Sequence, residues 1–290
     1  MSKGSLYRTD ENCVIAFSGG RTSAYMLRKV LDAYDGCLPE NIKVCFANTG
    51  KEMPETLDFV RDCAKKWNID IVWLETYAEE APKDHKTKVI FNVKTVTYDT
   101  AARNGEPFLA LMKARDLAPN PVARFCTKDL KSTPIRDYLL SIGWEMPYVG
   151  FVGIRADEER RASKLHGTTC TGQERYLPLW LDGITKQDVS SYWSNNEFDL
   201  NLPNNNGVTD WGNCDLCFLK AASKKLAIIR ERPDLADWWI YAESQMNKQK
   251  GAGAFFRADH PSYADMKIIA TSQQTFDFGI DESIPCFCGD

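Results

Sequence analysis

Histidine is scarce. The 290 residues hold three, His85, His166 and His260, and none sits in a Cys/His or His/carboxylate constellation. No imidazole base chemistry is assigned on that footing. No apolar run approaches the ~18–20 residues of a membrane span. The opening residues, MSKGS, lack the ~7–15-residue apolar stretch of a signal peptide, so a cytoplasmic protein with no membrane attachment is expected. Positive charge is not in excess: 36 Lys and Arg face 40 Asp and Glu, for a net charge of −4. That argues against the broad basic surface of a duplex binder, yet leaves room for a local basic pocket. There is no internal repeat, no low-complexity tract and no G-x-x-x-x-G-K-S/T loop.

What is present is ordinary in bulk, 43% hydrophobic and 26% charged residues. The length suits one large domain or two modest ones, with a core that needs no staples. Ten cysteines are many for a reduced compartment. Without a leader, a disulfide scaffold is not expected; metal or redox cysteines among plain core ones are.

The first half alternates short apolar runs with helix-like patterns. Residues 13–17 (CVIAF), 42–47 (IKVCFA) and 69–74 read as buried strands, and 22–33 and 54–67 as helices between them. This order predicts an α/β fold with a parallel sheet. Residues 78–105 are polar and read as a lobe or lid. Residues 134–142 read as a helix, 147–153 as a strand and 185–193 as a helix. The loop 195–213, rich in Asn, Gly and Pro, is the expected boundary between a domain at 1–200 and a helical extension at 201–290. Within the extension, 216–231 and 233–246 read as helices. Most of the eight tryptophans fall in apolar helix-like stretches, and core packing suits them better than base stacking.

Ser18-Gly19-Gly20-Arg21-Thr22-Ser23 lies between the first strand and the first helix. A helix start exposes unpaired N–H groups, and glycines let an anion approach the backbone. Ser18, Thr22 and Ser23 add hydroxyls and Arg21 adds charge. The plain alternative is a capped turn. Arg124, Lys128 and Lys131, and then Arg155, Arg160 and Arg161, supply two further groups of cations suited to oxyanions.

VIAFSGGRTSAYML resembles the PP-loop of the adenine nucleotide α-hydrolase-like superfamily. Four more segments resemble the phosphoadenosine phosphosulfate (PAPS) reductase family: FANTGKEMPET at 46–56, RFCTKDLK at 124–131, GIRADEER at 153–160, and LPLW at 177–180 with DV and YW at 188–193. The resemblance implies an α/β parallel-sheet PP-loop domain that binds an adenine nucleotide. It assigns Ser18, Gly19, Gly20, Arg21, Thr22, Ser23, Asn48, Thr49, Gly50, Arg124, Lys131, Gly153 and Arg155 to that nucleotide. Two chemistries follow from it. The sulfonucleotide PAPS is reduced by a thiolate, with a thioredoxin-like partner, or ATP is cleaved while sulfur is transferred to an acceptor such as nucleic acid. Thr22 stands where ATP-cleaving members carry Asp, which weakens the second. A non-enzymatic nucleotide-binding module is a third reading.

Cys214 and Cys217 form a CxxC at the start of the expected helix, where a dipole favours thiolates. With Cys126 and a tail cysteine, Cys286, they could hold a 4Fe-4S cluster or a zinc ion; the resemblance favours the cluster, and a buried or redox dithiol is the alternative. Related cluster-bearing reductases have Cys-Cys where this chain has Cys126-Thr127. The tail, PCFCGD, matches the place but not the spelling of the family's nucleophile-bearing tail, so Cys286 and Cys288 are the candidate nucleophiles. Cys13, Cys45 and Cys63 read as core, and Cys37 and Cys170 carry no signal.

Overall fold

The computed structural model describes residues 6–82, 89–204, 209–246, 255–272 and 282–284. Strand β1 (Cys13–Ala16), helix α1 (Arg21–Ala33), β2 (Ile42–Ala47), α2 (Pro54–Trp67) and β3 (Val72–Glu80) follow one another as the apolar pattern requires. β4 (Val89–Val96), α3 (Glu106–Arg115), the single turn α4 (Phe125–Thr127), a π turn at Lys128–Ser132 and α5 (Thr133–Ser141) lead to β5 (Tyr148–Phe151). Then come α6 (Glu159–Leu165), β6 (Thr169–Cys170), β7 (Gln173–Tyr176), α7 (Pro178–Leu181) and α8 (Lys186–Ser194). Helices α9 (Ala222–Glu231), α10 (Leu235–Ser244) and α11 (Tyr263–Thr271) form the C-terminal helical region.

The seven strands lie in the order β4-β3-β2-β1-β5-β7-β6. β3, β2, β1, β5 and β7 are mutually parallel, and β4 and β6 pair antiparallel at the two edges. β1 is central, with Ile15 opposite Val44 on one side and Phe151 on the other. Alternation along it sends Cys13 and Ile15 into the core beneath α1 and α2, and Val14 into a second core with Cys45, Leu74 and Leu139. Both sheet faces are therefore covered, which is why these strands read as unbroken apolar runs. Cys13, Cys45 and Cys63 are buried packing residues, and burial pushes the Cys45 thiol up to about 12.

Two expectations change. The polar stretch 78–105 is not a separate lobe: β3 runs on to Glu80, and β4 pairs with it from Trp73↔Val96 to Glu80↔Val89. Its side chains are polar because an edge hairpin buries little of either face. The helix expected from 216 begins only at Ala222. Lys220 Nζ donates to the carbonyls of Cys214 (3.0 Å) and Asp215 (2.6 Å) and holds the preceding residues in turns. The CxxC thus precedes the helix and has no dipole behind it. The short β6 and β7 escape notice in the sequence because their residues, TC and QERY, are exposed or half-buried and carry no apolar run.

The extension is sewn to the sheet domain at one place. Lys51 Nζ meets Asp215 Oδ2 at 2.9 Å, both side chains buried. Asp215 N donates to Lys51 O (2.8 Å), Trp239 Nε1 donates to Asp215 Oδ1 (2.7 Å), and Glu52 bridges Cys214. The apolar core runs on from Met53, Leu57 and Phe108 to Leu216, Phe218 and Trp239. Removing one member of a buried ion pair strands the other charge. Lys51→Met is expected to cost about 3–5 kcal/mol in a urea titration, with part of that recovered in Lys51→Met/Asp215→Leu.

Candidate functional site

The turn between β1 and α1 is built to leave amides free. Gly19 takes φ +79, where an added Cβ would meet Thr56 Cγ2 at 2.7 Å. Gly20 is the extended N-cap of α1 with no side-chain cap on the first-turn N–H groups. Ser23 does not cap either. Its hydroxyl donates to Gly20 O (3.0 Å), accepts from Ser18 N (3.3 Å) and lies 2.9 Å from Ser18 Oγ. Trp193 Nε1 on α8 fixes the Arg21 carbonyl at 2.9 Å. Gly153, just past β5, lets that strand end come close: a Cβ there would lie 3.1 Å from Ser23 Cα.

A cavity of about 230 Å³ opens on this turn, lined by the turn itself, Thr56, Arg155, Glu158, Leu200, Thr209, Gly212 and Asn213. Arg155 Nη1 donates to Thr22 Oγ1 (3.1 Å), and Asp157 and Glu158 hold the rest of the guanidinium, Nε at 3.0 Å and Nη1 at 3.4 Å. Glu158 also holds Arg161. Arg21 is buried, with Nε and Nη2 each 2.7 Å from the Asp199 carboxylate. Among the described residues, Arg21 Nη1 and Thr56 Oγ1 are both buried without a hydrogen-bond partner. Such groups cost free energy until something accepts from them. Two cations, a bare helix start and two unsatisfied donors suit an oxyanion ligand.

Not every expected contact is brought here. Arg124 Nε donates to Pro121 O (2.9 Å), and neither Arg124 nor Lys131 lines the cavity. Asn48 is buried and engaged: Nδ2 donates to Glu75 Oε1 (2.7 Å) and Ala102 O (2.9 Å), and Oδ1 accepts from Gly50 N (3.1 Å). Thr49 Oγ1 donates to the Glu52 carboxylate (2.9 Å) and lies 3.5 Å from Cys214 Sγ. Gly50, at φ +78, accepts from Gly105 N at 2.8 Å. The Asn48–Gly50 side chains therefore shape the strand end rather than project into the first cavity.

Lys131 faces a second, smaller cavity of about 20 Å³, with Thr49, Cys126, Asn213, Cys214, Cys217 and apolar neighbours. Three of the four cysteines expected to bind metal meet there; the fourth, Cys286, lies with Cys288 outside the described residues. Among the described residues, no group of three or more His, Cys, Asp or Glu is arranged to hold a metal ion. Burial pushes the Cys126 thiol up to about 12 and raises Cys214 and Cys217 as well, against the partial relief of Lys131. Burial, rather than a helix dipole, dominates the surroundings of these thiols.

Thr56, Glu158, Asp199, Thr209 and Asn213 complete or brace the site and were not singled out from the sequence. Thr56 stood within the strand-end segment, three residues into the turn of helix that Pro54 begins. The others fall in stretches without periodicity, so spacing offered no signal.

The fold is an α/β fold of PP-loop type, with a cavity suited to an oxyanion on its first turn. A model of the phosphoadenosine phosphosulfate reductase domain matches residues 12–202, and the chain belongs to that family. A relative from Escherichia phage lambda, described as uncharacterized nin region protein ORF290, is 30% identical over 222 residues, covering 73% of this chain and 67% of that protein. A crystal structure of phosphoadenylyl-sulfate (PAPS) reductase from Candida auris, a phosphate complex, aligns at 18% identity and TM-score 0.37 over 67% of this chain and 79% of that one. Among the described residues, no helix is long and apolar enough to cross a membrane.

Two tests follow from the geometry. Gly19→Ala is expected to lose about 1–3 kcal/mol of stability, because it forces an L residue into the left-handed region against Thr56; thermal unfolding measures it. In metal-free protein, alkylation of Cys126 is expected to keep rising with pH beyond about pH 10. An ordinary thiol of pKa ~8.5 reaches its plateau at about pH 10. A plateau there would contradict the burial effect.

Proposed function

We propose that this chain handles sulfur on an adenine nucleotide, and that its reaction is reduction of PAPS or a closely related sulfonucleotide. The observation that carries this reading is the cavity on the β1–α1 turn, where Arg21, Arg155, the free amides of α1 and the unpartnered Thr56 hydroxyl converge. Family membership supplies the nucleotide and the sulfur. In this reading the amides and arginines hold the 5′-phosphosulfate oxygens. Main-chain groups of 48–50 meet the adenosine, since the side chains there are already engaged.

The nucleophile is assigned to Cys286 or Cys288. Its thiolate attacks the sulfuryl sulfur, an S–S bond forms, and the S–O bond to phosphate breaks, with the electron pair leaving on the nucleotide. A dithiol partner of thioredoxin type attacks the nucleophile's sulfur. Sulfite departs, and the partner becomes oxidised by two electrons. Support for the tail comes from its anchorage. Ile284 N donates to Leu219 O (2.8 Å), and Ala221 N donates to Ser283 Oγ (3.0 Å). The last described residues thus dock beside the turn that holds Cys214 and Cys217, and Cys286 follows Ile284 by two residues.

The donor chemistry at the second cavity, three thiols on one wall, suits a soft metal. We assign Cys126, Cys214 and Cys217, with Cys286 as fourth ligand, to a 4Fe-4S cluster, with zinc as the alternative. The residues' own parts in binding and attack do not depend on it.

PAPS with reduced thioredoxin is expected to yield sulfite. Cys286→Ser or Cys288→Ser should abolish release, and Cys37→Ser should leave it intact. Arg155→Met is expected to raise KM about 10–100-fold. Cleavage of ATP to AMP and pyrophosphate with an acceptor present would transfer the assignment to ATP-dependent sulfur transfer. Nucleotide binding with neither turnover would mark a binding module. Protein prepared without oxygen is expected to contain iron and sulfide and to lose both in Cys214→Ala; colourless, iron-free protein would remove the cluster.

A further inference from the structure

Asn213 lines both cavities, the one on the β1–α1 turn and the one that holds the three thiols. It follows Gly212 and immediately precedes Cys214, so it stands where a group bound on the turn would come nearest the cysteines. Its backbone is left-handed, at φ +60. Glycine takes that conformation without strain, and asparagine is among the few other residues that tolerate it. Asparagine differs from glycine here by its carboxamide. Among the described residues no hydrogen bond uses that half-buried carboxamide, whereas the buried Asn48 has its own engaged. The same cavity holds the unpartnered Thr56 hydroxyl and Arg21 Nη1, which independently call for an acceptor.

We propose that the Asn213 carboxamide is a ligand contact: its N–H groups donate to an anionic phosphoryl or sulfuryl oxygen of the bound nucleotide, at the junction of the anion cavity and the thiol cavity. This rests on the nucleotide reading above and adds to it a residue from the C-terminal extension. A neutral donor there holds the oxyanion without placing a further full charge beside the thiols. The extension then completes the anion site rather than merely covering it.

The substitution Asn213→Gly keeps the backbone conformation and deletes the carboxamide. Asn213→Asp keeps the shape and the tolerance of positive φ but turns the donor into an anion. Calorimetric titration of the full chain with PAPS and, separately, with adenosine tests the contact. Asn213→Gly is expected to weaken PAPS about tenfold and to leave adenosine unchanged, as for one hydrogen bond to a charged group. Asn213→Asp is expected to weaken PAPS further, through like-charge repulsion, again sparing adenosine. PAPS affinity equal to wild type in Asn213→Gly overturns the contact while the nucleotide reading stands. Equal losses for PAPS and adenosine also overturn it, because they mark a structural role. Wild-type protein that binds PAPS in neither assay removes the nucleotide reading and this contact with it.

Discussion

The short turn after β1 must stay open, and much of the surrounding structure serves that constraint. The first amides of a helix seek partners, and a side-chain cap would satisfy them. Here Ser23, the nearest hydroxyl inside the helix, is turned back onto Gly20 O and Ser18. Trp193 pins the Arg21 carbonyl, Asp199 pins its guanidinium, and Thr56 fills the space under Gly19. The amides are left for something else to occupy. The free energy withheld from the helix start is available to whatever anion binds there.

Charge is arranged on the same principle. Arg155 does not wait free in solvent; Asp157 and Glu158 hold it over Thr22. A guanidinium placed beforehand loses less entropy when its ligand arrives. The whole chain carries a net charge of −4, and the two arginines at the cavity are each set in place by carboxylates, Arg21 by Asp199 and Arg155 by Asp157 and Glu158. The second cavity shows the opposite balance. Burial raises its thiols above their ordinary value, and Lys131 offsets only part of that cost. A thiolate there would need a metal or an added positive charge to form readily.

The buried Lys51–Asp215 pair and the Glu52–Cys214 bridge bind the strand-end segment to the CxxC turn. A continuous apolar core beneath this seam, from Phe108 to Trp239, keeps the sheet and the C-terminal helices in register.

Residue order alone settled the central strands, the helices between them and the glycine turn. Buried parallel strands are near-continuous apolar runs, and Ser18–Ser23 falls at the joint where the first such run meets an amphipathic helix. It also settled which thiols are core, since Cys13, Cys45 and Cys63 sit on apolar faces. Tertiary structure decided the rest. It drew Lys131 to the thiols and kept Arg124 away from the anion cavity, because Lys131 lies on a π turn and Arg124 just ahead of α4, and no periodicity encodes the direction of either. It occupied the Asn48 and Thr49 side chains with Glu75 and Glu52, partners distant in sequence or hidden by their own turn. It placed the CxxC ahead of its helix through the Lys220 bonds to backbone carbonyls. Local spacing records which face a residue occupies within its own element; which far-off group meets it is fixed only when the elements pack.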